Sequence, residues 1–277
     1  MSNLHKEKVL ILGSDSFLGN SFANFLSTKD VEVLRVSSAN SNDYELQSLE
    51  VVIAENNPLY ILDYQFKLVS SKNEDYVIYE KQNFFKAQNN LISILNKTKE
   101  TNKKVYLIST KYVENNNSTY SNLKREQENI YKSHLNKNIS FEILRINSIF
   151  GQGDKNLNRA LPHFFYSIFN NRKAVFESTG NQKTNFSFVE EANRFVYKKA
   201  IQNKNVELNN FVCTYYELIN YISQIILENF AYEHSVEWAE EKKEDFKLDV
   251  SNEDSKNIHK TINWYFENME EIKLLNG

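Results

Sequence analysis

The stretch Val9-Leu10-Ile11-Leu12-Gly13-Ser14-Asp15-Ser16-Phe17-Leu18-Gly19 decides how this chain is read. Four consecutive aliphatic residues suit a strand covered on both faces, as in a parallel sheet. Gly13 follows at once, and from Phe17 to Leu26 apolar residues recur at helical spacing. Strand, glycine turn and helix in that order aim the first-turn amides of a helix at an anion, and the helix dipole favours its charge. Gly13 is expected to make the tight turn, and Gly19 to let the helix pack against the sheet. Ser16 stands where such loops often carry a third glycine, and its hydroxyl offers a phosphate contact. The chain has only 6 glycines in 277 residues, and spending two of them here marks a backbone that cannot take a side chain.

Outward from this loop, short apolar runs alternate with helical patterns. Strands are expected at Val31–Val36, Leu59–Leu62, Val105–Ser109 and Ile139–Ile146, and helices at Leu46–Ala54, Tyr76–Lys99 and Thr119–Leu135. That alternation predicts an α/β fold with a doubly wound parallel sheet over residues 1–150. Beyond it the pattern loosens. A helix is expected near Leu161–Phe169, a strand near Val175, and a strand at Phe186–Phe188 leading into a helix that ends at Ile201. A strand at Val206–Val212, a helix at Tyr216–Asn229 and a last helix near Trp264–Leu275 complete the reading. Residues 185–212 are expected to return to the sheet domain, leaving 151–184 and 213–277 as a small α/β lobe over the carboxyl edge of the strands, where ligands bind in such folds.

Composition narrows the function. A net charge of −3 supplies no positive field to recruit nucleic acid or an anionic membrane. No apolar run reaches the roughly 20 residues of a membrane span, and the single Cys213 suits a reducing cytosol. The five histidines show no metal-ligand spacing, so no metal is expected. A soluble cytoplasmic protein is the expectation. At the end of the second expected strand, NAD-binding folds place an acid on a ribose hydroxyl. Here Arg35, with Ser37 beside it, takes that place, and a guanidinium suits the 2′-phosphate of NADP(H). NADP(H) is therefore the expected cofactor, with NAD(H) the alternative.

Tyr120 and Lys124 lie four residues apart, on one face of the helix expected over 119–135. A cation beside a phenol lowers its pKa toward working pH, so that it can exchange a proton with a substrate hydroxyl or carbonyl. The preceding strand ends in Ser109-Thr110, whose hydroxyls can bond the same oxygen.

The phosphate loop, Ser109-Thr110, Tyr120-x-x-x-Lys124 and Leu144-Arg145-Ile146-Asn147-Ser148-Ile149-Phe150-Gly151 occur in the order and setting of the extended short-chain dehydrogenase/reductases, which the chain resembles. Gly180-Asn181-Gln182-Lys183-Thr184-Asn185-Phe186-Ser187-Phe188-Val189-Glu190-Glu191 is similar to a later segment of the branch that modifies nucleotide-linked sugars. The resemblance implies a nucleotide-diphosphate sugar as substrate and a homodimer packed through the helices over 76–99 and 119–135. It implies that Thr110 holds the reacting oxygen, that Tyr120 is the acid/base, and that Lys124 holds the nicotinamide ribose. It places Gly13, Ser16, Phe17, Leu18, Gly19, Arg35, Ser37 and Asp63 at the cofactor, and Thr110, Lys111, Asn147 and Lys242 at the substrate.

Departures from the family pattern sharpen the reading. The 4,6-dehydratases follow the threonine with a pair of residues led by an aspartate, whereas Lys111-Tyr112 follow it here. Only a short connection separates Thr110 from Tyr120, as in compact reductases of 4-keto-6-deoxyhexose nucleotides such as CDP-paratose and CDP-abequose synthases. Thr184 and Lys242 stand where arginines often grip the diphosphate. The resemblance thus implies NADPH-dependent 4-keto reduction for surface-polysaccharide sugars. It leaves open a 4-epimerase with tightly bound NAD, and a cofactor-binding regulator without turnover.

Overall fold

The computed structural model describes residues 6–37, 46–65, 74–98, 102–115, 118–239 and 248–276. The chain forms two compact units, one of residues 1–146 and 193–207 and the other of residues 147–192 and 208–277.

In the first unit, β1 (Glu7–Leu12), β2 (Val31–Val36), β3 (Tyr60–Asp63), β4 (Lys104–Thr110) and β5 (Ser140–Ile146) form one sheet in the order β2-β1-β3-β4-β5. Every pairing in it is parallel, with Leu12 opposite Val36 and Asp63, and Thr110 opposite Ile146. The expected doubly wound α/β fold is present. Val9, Leu10, Ile11 and Leu12 are wholly buried, each worth about 1.5–3 kcal/mol of apolar burial. Around the strands run α1 (Phe17–Leu26), α2 (Leu46–Asn56), α3 (Glu74–Lys97), the single turn α4 (Tyr112–Asn115) and α5 (Thr119–His134). One apolar cluster joins Leu10 and Leu12 to Leu49 and Ile53 of α2, Leu91 and Leu95 of α3, and Tyr131 of α5. In this strand order the direction of winding reverses between β1 and β3, and the crevice beyond their carboxyl ends is where such sheets bind ligands.

The second unit has two small sheets. The parallel pair of β6 (Ser148–Phe150) and β8 (Lys183–Phe188) is extended antiparallel by β9 (Phe211–Thr214), and β7 (Lys173–Phe176) pairs in parallel with β10 (Ser235–Trp238). The helices α6 (Ala160–Asn171), α8 (Tyr215–Phe230), α9 (Asn252–Glu267) and α10 (Met269–Asn276) enclose a core rich in aromatics, including Phe164, Phe165 and Tyr265. Phe165 and Tyr265 stack with centroids 3.9 Å apart.

The returning segment is shorter than expected, 193–207 rather than 185–212. The reason is hydrogen bonding: β8 and β9 pair with each other and with β6, in a sheet separate from the five-stranded one. The chain re-enters the first unit within α7 (Val189–Val196), which runs on into a π-helical turn at Tyr197–Ile201. Tyr197 then packs edge-on against Phe25 of α1.

Candidate active site

At the carboxyl end of β1 the turn is fastened to both neighbouring strands. Ser14 N donates to Val36 O at 3.1 Å, and Tyr64 N donates to Leu12 O at 2.9 Å. Gly13 has φ +72°, and a Cβ there would lie 2.9 Å from the backbone of Tyr64 and Gln65, so both conformation and space demand glycine. Gly19 is needed for another reason. Its Cβ would sit 2.1 Å from Gly13 O, because the first turn of α1 rests directly on the loop. Ser16 is the N-cap of α1. Its Oγ accepts from Gly19 N at 3.1 Å and donates to Gly13 O at 2.7 Å, so the hydroxyl expected to meet a phosphate is engaged in holding the loop. Phe17 and Leu18 open the helix, half-buried, in the turn whose amides the helix itself leaves to outside acceptors.

Arg35 lies near the end of β2 with its guanidinium donating to Asn20 Oδ1 at 3.3 Å and to Asn24 Oδ1 at 2.8 Å, both on α1. Ser37, directly after β2, is half-buried. The guanidinium is exposed and beside α1, and two amide oxygens take two of its five donors.

The centre of the first unit is polar where helix meets sheet. The buried face of α5 consists of Ser121, Lys124, Gln127, Glu128 and Tyr131. Lys124, one turn below Tyr120, donates to Gln127 Oε1 at 3.0 Å, Ile108 O at 3.1 Å and Gln65 O at 3.3 Å, matching the three hydrogens of an ammonium. Asp63, ending β3, accepts from Tyr131 Oη at 2.7 Å, from Gln65 N at 2.8 Å and from Gln127 Nε2 at 3.4 Å. Burial pushes the Asp63 carboxyl above its ordinary value, against the hydrogen bond from Tyr131 and the charge of Lys124. Burial likewise lowers Lys124 to about 8, against the charges of Asp63 and Glu128. Asp63, expected at the cofactor, is thus an inward anchor for α5 and for the segment after β3.

Strand alternation separates the two hydroxyls that end β4. Ser109 Oγ donates to Glu128 Oε1 at 2.7 Å, on the α5 side. Thr110, 3% exposed, points the other way, and its Oγ1 accepts from Tyr112 N at 3.3 Å. Glu128 also takes Arg145 in a bidentate pair, Nε to Oε1 at 3.0 Å and Nη2 to Oε2 at 2.7 Å. Arg145 reaches on to Glu114 of α4 at 2.9 Å. The Glu128 carboxyl lies below its ordinary value: the hydrogen bonds and charge of Arg145 and the Ser109 hydroxyl outweigh burial, the largest single effect, which pushes the other way. This network ties β4, β5, α4 and α5 together, and so sets Thr110 relative to the helix that carries Tyr120 and Lys124. Nothing in the sequence distinguished Glu128 from a surface acid. Lys111 is exposed in the turn after β4, with its amide donating to Ile146 O at 2.9 Å.

In the second unit, Asn147 is buried and donates from Nδ2 to Ser187 Oγ at 3.2 Å. Ser187 in turn donates to Asn209 O at 2.6 Å, which fixes the amide's orientation, since flipping Asn147 would set its Oδ1 against Ser187 Oγ, acceptor against acceptor. Asn147 Oδ1 is left buried without a partner. A ligand hydroxyl or N–H would satisfy that acceptor, whereas a phosphate oxygen would not. Thr184 is buried in β8, and its Oγ1 bonds its own chain at Gln182 O, 3.5 Å away. Lys242 lies outside the described residues. Among the described residues no group of three or more His, Cys, Asp or Glu is placed to hold a metal, and no helix is long and apolar enough to cross a membrane.

The residues around the β1–β3 crevice fit a dinucleotide. Gly13, at φ +72°, turns the chain directly from β1 toward α1, and the first turn of that helix leaves its amides to outside acceptors at the crevice. Comparison with known proteins agrees. The model of the NAD dependent epimerase/dehydratase family matches residues 9–212. No curated protein sequence matches the chain. Among solved structures it is similar to a dTDP-glucose 4,6-dehydratase from Bacillus anthracis in complex with NAD, at TM-score 0.73 and 15% identity over 95% of this chain and 98% of that one. It is also similar to a UDP-N-acetylglucosamine 4-epimerase from Methanobrevibacter ruminantium, at TM-score 0.70 and 18% identity over 96% and 100%. A GDP-L-fucose synthetase from Naegleria fowleri bound to NADP follows at TM-score 0.66 and 14% identity over 98% and 97%. At these identities the likeness is one of fold.

Proposed function

We propose a function from one premise: the chain belongs to the NAD dependent epimerase/dehydratase family, whose model spans most of it. The reading is an NADPH-dependent reductase of the 4-keto group of a nucleotide-linked 4-keto-6-deoxyhexose, serving surface-polysaccharide synthesis. The observation that carries it is the pair of residues after Thr110. Elimination needs an acid and a base beside the reacting carbon, and this pair is Lys111, exposed in a turn, and Tyr112 at the start of α4. The carboxylate of that short helix, Glu114, is paired with Arg145. Reduction needs no base there, only a proton donor to the carbonyl oxygen, the part given to Tyr120.

A bound dinucleotide supplies the hydride. Gly13 and the first turn of α1 receive its pyrophosphate. Thr110 holds the carbonyl oxygen of the substrate, and Tyr120 gives that oxygen a proton as it becomes an alkoxide. Lys124 keeps positive charge one turn below Tyr120, which eases loss of the phenolic proton. The substrate is a nucleotide-diphosphate sugar, the class to which the UDP-N-acetylmuramic acid in complex with the similar 4-epimerase belongs.

One observation favours a second reading, a 4-epimerase that retains NAD. The guanidinium of Arg35, on which NADP(H) preference depends, is held by Asn20 and Asn24. A reductase releases its oxidised cofactor every cycle, whereas an epimerase recycles it. Purified protein is denatured and its released nucleotide identified, and the protein is then incubated with NADPH and 4-keto-6-deoxy sugars linked to CDP, dTDP, GDP and UDP. Exchangeable cofactor with NADPH consumption on at least one sugar supports the reductase. Retained NAD, no NADPH consumption and interconversion of ordinary UDP-sugars overturn it in favour of the epimerase.

A further inference from the structure

Gln127, on the inner face of α5, is wholly buried and engages both ends of its carboxamide with charged groups. Its Oε1 accepts from Lys124 Nζ at 3.0 Å, and its Nε2 donates to Asp63 Oδ2 at 3.4 Å. The amide can face only this way, because an ammonium offers no acceptor to Nε2 and an ionised carboxylate no proton to Oε1. The backbone carbonyl of Gln127 takes Gln88 Nε2 of α3 at 2.8 Å, which pins this turn of the helix. The other two acceptors of Lys124 Nζ are the backbone carbonyls of Gln65 and Ile108, so the Gln127 amide is the one of the three that a substitution can alter.

The charges around Lys124 single out Asp63. Glu128 is already matched by Arg145 in a bidentate pair and by Lys132 at 3.5 Å. Tyr120 and Tyr131, also on α5, are neutral until they ionise. Asp63 accepts from Tyr131 Oη, Gln65 N and Gln127 Nε2, all neutral donors, so among the described residues its charge meets a cation only through the amide. We infer that Gln127 and Asp63 are positioning residues: their bridge holds the Lys124 ammonium in place and charged one turn below Tyr120, and so sets the upper pH limit of proton transfer. This rests on the reading that Tyr120 is the proton donor. Burial lowers Lys124 to about 8, against the charges of Asp63 and Glu128. Loss of that proton removes the charge that eases departure of the phenolic proton.

The test uses two replacements of opposite sign, Gln127→Met and Gln127→Glu, each made alone and together with Lys124→Met. Methionine removes the bridge, so the Lys124 proton should leave at lower pH. Glutamate sets a carboxylate against the ammonium, so it should leave at higher pH. The first readout is the difference in unfolding free energy between each protein and its Lys124→Met partner, followed against pH by urea titration. In wild type this difference starts to grow at about pH 8. It is expected to start about one pH unit lower with methionine and about one unit higher with glutamate. The second readout is NADPH consumption on the nucleotide-linked 4-keto-6-deoxy sugars, whose alkaline limb should move in the same two directions. Gln127→Glu is isosteric and decides alone should Gln127→Met fail to fold. A merely structural glutamine would lower stability or turnover while leaving both profiles in place, and that result overturns the inference. Shifts of the same sign in both variants overturn it too, as do stability profiles that move while the alkaline limb stays. If the stability profiles move as expected but wild type consumes NADPH with no sugar, the bridge stands and the functional reading falls.

Discussion

Replacing Gly19 by alanine tests the phosphate loop where its geometry is tightest. The added methyl would lie 2.1 Å from Gly13 O and 2.9 Å from Ser16 Oγ, whereas 3.4 Å is an ordinary contact, so α1 and the loop must part by 1.3 Å. Gly13 O is also the acceptor for Ser16 N at 3.0 Å and for Ser16 Oγ at 2.7 Å, so moving it strains the cap as well. Overpacking of this kind costs about 1–3 kcal/mol, and loss of an N-cap about 1 kcal/mol more. Gly19→Ala is therefore expected to lose about 2–4 kcal/mol of unfolding free energy and to bind NADPH and NADH far more weakly, since the first-turn amides move with the helix. Urea denaturation followed by circular dichroism reads the first effect, and fluorescence titration reads the second. Ser16→Ala is the control: it removes the cap alone and should cost about 1 kcal/mol while dinucleotide affinity holds. A Gly19→Ala protein with the wild-type midpoint and wild-type affinity would refute the reasoning, because the helix would not then be resting on the loop.

The bidentate pair of the buried Glu128 with the part-exposed Arg145 should matter more than its exposed extension to Glu114. Glu128→Gln leaves the part-exposed Arg145 without its bidentate partner and is expected to cost about 1.5–3 kcal/mol, against under about 1 kcal/mol for Glu114→Ala, both by denaturant titration. Equal costs would count against the network as the fastening of α5. Lys124 gives a pH signature. Its ammonium titrates at about 8 in the folded protein against 10.5 for the ordinary side chain, so between those values the unfolded chain holds more protons. The Lys124 contribution to stability then rises with pH through that window, and is a full penalty below it. The difference in unfolding free energy between wild type and Lys124→Met is expected to grow from pH 8 to pH 10.5. A flat difference would mean that Lys124 is not desolvated.

The parallel sheet was legible because each strand is a short β-branched run between helical patterns, and the β1 turn because two scarce glycines bracket it. Other elements carried weaker marks. The β10 strand Ser235–Trp238 is four residues long with only Val236 and Trp238 turned inward, too brief for alternation to stand out. The last helical region was expected near 264–275, yet α9 begins at Asn252 under a Ser251 cap. Its first turns are polar, and the buried Ile258, Ile262 and Tyr265 lie deeper, so hydrophobic spacing alone dates the helix too late. The β9 strand starts at Phe211 rather than Val206 because the chain pairs with β8 only from Phe211, opposite Phe186, onward.

For the site, residue types identified Gly13, Gly19, Thr110, Tyr120 and Lys124 as candidates, and left their surroundings dark. The inner face of α5 is polar, so periodicity marks the helix without revealing which face is covered. Gln65, Gln127 and Glu128 carry no mark in the sequence, and Asp63, expected at the cofactor, becomes an anchor only when folding brings these residues against Lys124, Tyr131 and Arg145. Ser16 was legible as a hydroxyl in a phosphate loop, but its use as the cap of α1 depends on a distance that only the fold supplies.

The central claim is that Tyr120 gives a proton to a substrate oxygen during NADPH-dependent reduction, and one comparison tests it most directly. Wild type and Tyr120→Phe are incubated with NADPH and the panel of nucleotide-linked 4-keto-6-deoxyhexoses, and NADPH consumption is followed by absorbance while dinucleotide affinity is measured in parallel. The account predicts consumption by wild type on at least one sugar, a loss of about 10²-fold or more in Tyr120→Phe, and unchanged dinucleotide affinity. Turnover in Tyr120→Phe equal to that of wild type would contradict it, as would no consumption by wild type on any sugar.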